Sequence, residues 1–347
     1  MRIINDTHID VARIAGTTPA SADALKSEVL ANFRDALRPG DDILLLGDLF
    51  DRPTVDSKTL LTVWGMLSSW LIENQDSTFY LVRGNHDMMN NTDKIASIDL
   101  LAGLLTQYGN FVYITTPTVL PSENEVVIPH MRNQDLFDMA VAQFADKDYI
   151  LFTHCNYDLC FANDKDHSLN LSRAQAKAFM HVVIAHEHQY RTKDNVTALG
   201  CQFPTSIADV KDGKDKYWWD YVTEYDPDLE DDHILTKAVS WDSEEYYTAC
   251  DWRELDSLDT SWQFVRVVGE ASEAEASTVL QEIAKLRKRL PESTFVISNA
   301  VVVEGITPSE DGDETLESLE GLNIIEMLLE RVSKKHAKKI REVLADA

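Results

Sequence analysis

Short apolar runs alternate with amphipathic segments along the first 200 residues of the chain. A short apolar run is typical of a buried strand, and apolar residues spaced by three or four are typical of a helix. The predicted strands are Met1–Asn5, Ile43–Leu46, Phe79–Val82, Phe111–Ile114, Val126–Ile128, Tyr149–Phe152 and Val182–Ile184. The predicted helices are Ser21–Leu37, Lys58–Ile72, Ile95–Leu105 and Leu136–Phe144. This alternation predicts an α/β domain built in layers.

The pattern changes after about residue 235. The next segments are predicted as strands at Trp262–Val268, Phe295–Ile297 and Ala300–Val303, a helix at Ala274–Leu290 and mostly helix over Leu316–Leu344. We therefore predict a first domain over residues 1–235, a small α+β domain over 236–310 and a helical C-terminal segment over 311–347.

The charge of the chain is strongly negative. Its 347 residues include 32 Lys and Arg and 59 Asp and Glu, so the formal net charge is 32 − 59 = −27. Such an excess of carboxylates argues against a nucleic-acid partner, because phosphate binders usually carry a basic face. Part of the charge lies in the acidic run 224–232, which is typical of a solvated linker.

The composition otherwise indicates a soluble protein of a reducing compartment. The four cysteines are sparse and irregularly spaced. No apolar run approaches the ~20 residues that span a bilayer. The N-terminus lacks the apolar core of a signal peptide, so we expect a cytoplasmic location and no membrane partner.

Five predicted strand ends carry side chains of the metal-binding type. They are Asp6-Thr7-His8, Gly47-Asp48-Leu49-Phe50-Asp51-Arg52, Gly84-Asn85-His86-Asp87, Thr153-His154 and Ala185-His186-Glu187-His188. In α/β sheets the carboxyl ends of the strands meet at one crevice. Residues two apart in an extended segment point to the same side, which pairs Asp6 with His8 and His186 with His188.

This ligand set is too large for one tetrahedral ion. Seven side chains suit two divalent ions, with the Asp48 carboxylate as a bridge between them. No cysteine is among the ligands, so manganese is the favoured metal, ahead of a structural zinc, with magnesium or iron as alternatives. The predicted ligands are Asp6, His8, Asp48, Asn85, His154, His186 and His188.

These motifs resemble those of the calcineurin-like metallophosphoesterase superfamily: D-x-H, G-D-x-x-D, G-N-H-D/E, H and G-H-x-H. The last motif departs from the pattern, because Ala185 stands where the family has Gly. The resemblance implies two mixed β-sheets sandwiched by helices in four layers, with the small domain as a cap. It places Asp6, His8, Asp48 and His188 on one metal, and Asp48, Asn85, His154 and His186 on the other.

The same resemblance implies catalytic roles for two residues that follow Asn85. His86 would give a proton to the leaving oxygen or stabilise the transition state. Asp87 would orient His86 by accepting its other ring N–H.

Within the superfamily the chain is most similar to SbcD-type DNA repair nucleases. The similarity rests on Gly47-Asp48-Leu49-Phe50-Asp51, on His186-Glu187-His188 and on the segment 200–206 that follows. It implies an exonuclease and endonuclease for DNA ends or single strands, in DNA repair or recombination. The implied partners are an SbcC-type ABC ATPase and a second copy of the chain, in a heterotetramer. The compact length is similar to phage-encoded members that act in the bacterial cytoplasm.

Two arginines point to another function. Arg52 and Arg83 resemble the phosphate-gripping arginines of protein Ser/Thr phosphatases, and His130 follows a strand end and could line the same cleft. The arginines could equally pair with nearby carboxylates. A phosphatase or phosphodiesterase that acts on small molecules or phosphoproteins is therefore the alternative.

Overall fold

The computed structural model describes residues 1–12, 16–89, 93–122, 124–146, 148–159, 168–222, 235–258 and 261–304. The predicted helix Leu316–Leu344, the C-terminal segment 311–347 and the acidic run 224–232 lie outside these residues. By internal contacts the chain divides into two compact units. The first comprises Met1–Arg13 with Asp23–Glu245, and the second comprises Ile14–Ala22 with Tyr246–Ala347.

Two mixed six-stranded sheets form the first unit, which confirms the predicted α/β class. Its strands are β1 Arg2–Ile4, β2 Ile43–Leu46, β3 Phe79–Val82, β4 Phe111–Ile114, β5 Thr118–Val119, β6 Glu125–Ile128, β7 Ile150–His154, β8 Asn156–Tyr157, β9 Asn170–Leu171, β10 His181–Ala185, β11 Arg191–Lys193, β12 Val196–Ala198, β13 Lys216–Tyr221 and β14 Leu235–Trp241. The helices are α1 Pro19–Ala36, α2 Ser57–Glu73, α3 Ser97–Leu105, α4 Gln134–Gln143, α5 Arg173–Ala176, α6 Ile207–Val210 and α7 Ser243–Tyr246.

The order of the first sheet is β14-β13-β1-β2-β3-β4, and that of the second is β11-β12-β10-β7-β6-β5. Strands β1 to β4 run parallel, as do β6, β7, β10 and β12. The remaining strands of the two sheets, β5, β11, β13 and β14, are antiparallel to their neighbours. The parallel strands therefore bring their carboxyl ends to one edge of each sheet, where the predicted ligands follow.

The two sheets pack face to face. One apolar cluster between them combines side chains of both sheets, among them Leu44 and Val82 from the first and Phe152 and Val183 from the second. The outer face of the second sheet packs against α4 through Phe137 and neighbours. On the outer face of the first sheet, the Trp70 ring of α2 meets Phe79 of β3 edge to face. Helix, sheet, sheet and helix thus make the four predicted layers.

The second unit contains a small parallel sheet covered by one helix. Its elements are β15 Tyr247–Asp251, β16 Phe264–Val268, β17 Glu270–Ala271, α8 Ala276–Arg289, β18 Val296–Asn299 and β19 Val302–Val303. The sheet order is β15-β16-β18, and β17 pairs with β19. Helix α8 buries Val279, Ile283 and Leu286 in the apolar cluster of this unit. The α+β composition predicted after residue 235 is present.

The sequence prediction missed some strands. Strands β13 and β14 belong to the first sheet, and β14 begins at Leu235, where the pattern was expected to change. Among the described residues, no helix is long and apolar enough to cross a membrane.

Candidate metal centre

The predicted ligands meet where parallel strands of the two sheets end. Asp6 and His8 follow β1, Asp48 follows β2 and Asn85 follows β3 in the first sheet. In the second sheet, His154 is the last residue of β7, and His186 and His188 follow β10. Residues far apart in the chain therefore share one cleft edge, as the motif spacing predicted.

The described residues form four groups of possible ligand atoms there: one of His8, Asp51 and His86, one of His188, Cys201 and Asp209, and two made entirely of predicted ligands. Of these last two, the first joins Asp6, His8 and His188, and the second joins Asp48, His154 and His186, with ligand atoms in each group within 4.8 Å of one another. In the first group the Nε2 atoms of His8 and His188 lie 3.0 Å apart. In the second, the Asn85 Oδ1 atom lies 2.8 Å from His154 Nε2 and 3.0 Å from His186 Nδ1.

Asp48 faces both groups. Its Oδ2 atom lies 3.3 Å from Nε2 of His154 and 3.9 Å from Nε2 of His8. Its other oxygen accepts the backbone N–H of His86 at 2.9 Å. This position fits the predicted bridge between two ions.

The outward nitrogens of two ligand rings donate hydrogen bonds, and that of a third lies near a carboxylate without a hydrogen bond. His154 Nδ1 donates to the Leu46 carbonyl at 2.9 Å, and His188 Nδ1 to the Asp209 carboxylate at 2.7 Å. His8 Nδ1 lies 3.4 Å from Asp51 Oδ1. Metal-binding histidines usually donate the second ring N–H in this way, which leaves a lone pair for the metal.

The donor set fits divalent ions. Two ring nitrogens 3.0 Å apart share at most one proton between them, so a cation on their inner side satisfies both lone pairs. Imidazole, carboxylate and amide donors, without thiolate in either group, suit manganese, iron or magnesium.

Burial and the charges of the site shift the pKa of several ligand side chains. Burial acts to raise the pKa of Asp48. His154 outweighs this effect through its charge and its hydrogen bond, and the charges of His86 and His8 add to it, so the pKa of Asp48 lies well below its usual range. Burial acts to lower the pKa of His154, and Asp48 outweighs it, so the value rises to about 9. Burial lowers the pKa of His186 to about 4. The Asp48 carboxylate is therefore held in its charged form at the centre.

Four of the ligand residues have left-handed backbone. The φ angles are 47° at Asp6, 46° at His8, 52° at Asp48 and 88° at His186. Non-glycine residues rarely adopt such angles, and each costs of order 1–3 kcal/mol. The fold thus bends the chain sharply at each strand end to turn the ligand inward.

Two glycines allow the strand ends to approach one another. A Cβ atom on Gly47 would lie 2.3 Å from His154 Nδ1, and one on Gly84 would lie 2.2 Å from Asp48 Oδ1. Gly47 also has a φ of 89°. The glycine in each motif therefore makes room for a ligand of another strand.

The contact predicted for Asp87 is wrong. Its carboxylate accepts the backbone N–H groups of Gly84 at 3.0 Å and Phe50 at 3.3 Å. His86 Nδ1 instead donates to the carbonyl of Asp51 at 2.7 Å. Burial, and then the charge of Asp48, raises the pKa of Asp87 to about 6. Asp87 therefore shapes the loop between two strand ends, because its side chain points to backbone rather than to the His86 ring.

The predicted phosphate contacts are spread around the centre. Arg52 pairs with Asp10 at 3.0 Å, which is the carboxylate alternative. Arg83 Nη2 donates to the Thr115 carbonyl at 3.4 Å. The ring centroid of His130 lies 6.3 Å from that of His154, and burial lowers the pKa of His130 to about 3. Phosphate binding by these three residues stays a prediction.

Several partners of the ligands were missed from the sequence. Asp209 carries no motif signal, and the G-D-x-x-D motif that contains Asp51 does not predict its approach to His8. Glu187, which lies between the ligands His186 and His188, forms an ion pair with Arg191 at 2.6 Å and accepts the Tyr157 N–H. The contacts of Asp209 with His188 and of Asp51 with His8 join segments distant in sequence, so no local pattern predicts them.

Comparison with known proteins agrees with the site. Residues 2–229 match the family model described as calcineurin-like phosphoesterase, a range that contains every residue of both ligand groups. A search of curated proteins gave no match.

Proposed function

The chain belongs to the calcineurin-like phosphoesterase family, and from this premise we propose that this metal-dependent phosphoesterase is a DNA nuclease. In this proposal it is the exonuclease and endonuclease subunit of a complex with an SbcC-type ABC ATPase, acting in DNA repair or recombination. Manganese is the proposed metal.

The position of His86 carries the proposal. Its Nδ1 is engaged by the Asp51 carbonyl, and its backbone N–H by Asp48. The ring packs edge to face on His8, with centroids 4.9 Å apart. Nε2 is therefore the ring nitrogen left to meet a substrate beside the metal ligands. A histidine held in this way suits proton donation to the leaving oxygen of a phosphodiester.

The chain's residues divide the chemistry between them. Two divalent ions, held by the two ligand groups, would supply water activation and neutralise the charge of the phosphoryl group. His86 holds a proton at Nε2 for the departing sugar oxygen. Asp51 keeps that ring in place through its carbonyl and approaches the His8 ring through its carboxylate.

The contact of Arg52 favours the diester over the monoester. A phosphatase that grips a phosphate dianion needs an available guanidinium near the metals. Arg52 is instead paired with Asp10, which also binds Lys26 at 2.7 Å. The pairing of Arg52 supports a nuclease, whereas Arg83, which donates to the Thr115 carbonyl, keeps the phosphatase as the alternative.

The acidic chain gives the ATPase partner a physical role. A net charge of −27 predicts weak, salt-sensitive binding of DNA by this chain alone. We propose that the partner subunit supplies the basic surface that holds DNA.

A second copy of the chain completes the proposed assembly. Helices α2 and α3 pack against each other, and both leave apolar side chains exposed, among them Leu61, Leu100 and Leu104. Exposed apolar side chains of neighbouring helices support a homodimer within the heterotetramer.

Cleavage assays in manganese test the nuclease proposal. We expect cleavage of linear double-stranded or single-stranded DNA and of a chromogenic phosphodiester, with slower turnover of the matching phosphomonoester. Asn85→Ala, which removes a predicted ligand, is the control for contaminating nucleases and should be inactive on all substrates. Turnover of the monoester alone would defeat the nuclease proposal and favour the phosphatase.

A further inference from the structure

His188 is held from behind by a carboxylate that no motif contains. Its Nε2 faces His8 Nε2 at 3.0 Å, and its Nδ1 faces Asp209 Oδ1 at 2.7 Å. Asp209 is only 2% exposed, so this contact is shielded from water. An acceptor at Nδ1 fixes the ring proton there and leaves the Nε2 lone pair toward the metal group.

The two oxygens of Asp209 have separate partners. Oδ2 accepts four hydrogen bonds from Thr205 and Ser206, through both backbone N–H groups and both hydroxyls, at 2.8–3.1 Å. These bonds cap the short helix α6. Oδ1 faces His188 Nδ1. The helix cap therefore uses Oδ2 of the carboxylate, and the contact with the His188 ring uses Oδ1.

A buried lysine ties the backbone of the two residues together. Lys216 is 1% exposed, and its ammonium donates to the carbonyl of His188 at 3.0 Å and to that of Asp209 at 2.5 Å. The strand register shifts between Lys216 and Tyr217, an irregularity of the kind that re-aims a side chain near a functional site.

We propose that Asp209 and Lys216 are positioning residues of the metal centre. Asp209 holds His188 in the tautomer with the proton on Nδ1, and Lys216 fixes the spacing between the His188 and Asp209 backbones. Together they present Nε2 of His188 to a divalent ion. The inference rests on the metal centre and is independent of DNA as the substrate.

The substitution Asp209→Asn separates the two roles of the carboxylate. The amide oxygen can still accept the four capping bonds, and the amide NH2 then faces His188 Nδ1 as a donor. The ring proton must move to Nε2, where it blocks the metal. We expect manganese affinity at one of two sites to fall about 10- to 100-fold, with a fold that remains intact.

Helix α5 offers a matched control. It has the same length as α6 and the same kind of cap, in which Gln175 accepts from the N–H and hydroxyl of Ser172. Gln175→Ala should lower the unfolding temperature and leave both manganese affinities unchanged, by isothermal titration calorimetry. If Asp209→Asn also keeps both affinities, Asp209 is only a helix cap and the proposal is overturned.

Two further measurements decide the matter if Asp209→Asn fails to fold. In the metal-free wild-type protein, nitrogen-15 NMR of labelled histidines at mildly alkaline pH should show the Nδ1–H tautomer for His188, assigned with His188→Gln. The Nε2–H tautomer would overturn the proposal. Lys216→Met should keep the Nδ1–H tautomer and weaken manganese binding, since the His188 carbonyl loses a donor. Wild-type affinity in this variant would contradict the role of Lys216.

These readouts need no substrate. A protein that binds manganese as expected but fails to cut DNA would refute the nuclease proposal and leave this one standing. Normal DNA cleavage with the wrong His188 tautomer would do the reverse.

Discussion

Each ring nitrogen at the centre has a definable task. The inward nitrogens of His8, His154 and His188 face other ligands, and the outward ones meet a carboxylate or a carbonyl. His86 lies outside the two groups of predicted ligands, although it forms a further group with His8 and Asp51, and its Nδ1 donates to the Asp51 carbonyl. A histidine next to the metal ligands but outside them is placed for proton transfer rather than for metal binding.

His86→Ala should therefore separate metal binding from catalysis. We expect both manganese ions to bind with wild-type affinity, and turnover of a phosphodiester to fall about 10²- to 10⁴-fold, the usual effect of losing a general acid. Metal titration and steady-state kinetics check the two parts. Turnover at the wild-type rate would show that the assigned role is wrong.

His181 gives the protein a pH-dependent stability that is separate from catalysis. Burial lowers the pKa of His181, whose Nε2 lies 3.2 Å from the Thr197 hydroxyl. The unfolded chain binds this proton more tightly, at a pKa of about 6.5. The contribution of His181 to the free energy of unfolding is therefore complete above about pH 6.5 and is lost as the pH falls through the folded value.

His181→Gln should flatten this slope. One proton changes the free energy of unfolding by at most about 1.4 kcal/mol per pH unit. Urea unfolding of wild type and variant between pH 5 and 8, with a chelator present, measures the difference. If the free energy of unfolding of the wild type and of the variant changed equally with pH, the role of His181 would be contradicted.

At the level of elements, the strand ends could be predicted and their supports could not. Each ligand follows an apolar run that can be recognised as a strand from the sequence. The carboxyl ends of parallel strands lie at the same edge of a sheet. Strand β13, Lys216–Tyr221, is not among the predicted strands. Asp209 and Lys216 meet His188 only after α6 and β13 have packed, so no spacing in the chain reveals them.

The Asp87 prediction failed for a related reason. A motif gives the order of residues but not the turn between them. The chain turns after Gly84 so that Asp87 lies over two backbone N–H groups, and the His86 ring reaches a carbonyl of another loop.

Glycine substitutions test the close approach of the strand ends. Gly84→Ala should destabilise the protein by about 1–3 kcal/mol, because its Cβ would lie 2.2 Å from Asp48 Oδ1 and 2.3 Å from Asp48 N. The displaced carboxylate should also bind manganese more weakly. Thermal unfolding and metal titration measure both effects.

Gly65 in α2 is the matched control. Nothing lies within 4 Å of its added Cβ, so Gly65→Ala should stabilise the protein by about 0.5–1 kcal/mol without changing metal binding. Equal effects of the two substitutions would contradict the steric role of Gly84.

For the whole molecule, the metal ions should offset part of the stored charge and strain. The centre gathers buried carboxylates, and four ligand residues have left-handed backbone in a chain of net charge −27. An ion that binds only the folded state adds about 2.7 kcal/mol of stability at a concentration 100 times its dissociation constant. We expect manganese to raise the unfolding temperature and a chelator to reverse the rise.

Asp48→Asn is the control for that experiment, since Asp48 faces both groups of ligands. It should lose most of the stabilisation by manganese. An unfolding temperature that is the same with chelator and with manganese would contradict a metal centre of this kind.

The number and coupling of bound manganese ions test the central claim most directly. Two ions held by groups that meet at Asp48 should be close enough for their spins to couple. Equilibrium dialysis combined with electron paramagnetic resonance should therefore give two ions per chain and a spin-coupled multiline spectrum. Saturation at one ion per chain, with the six-line spectrum of isolated manganese, would contradict the dinuclear centre.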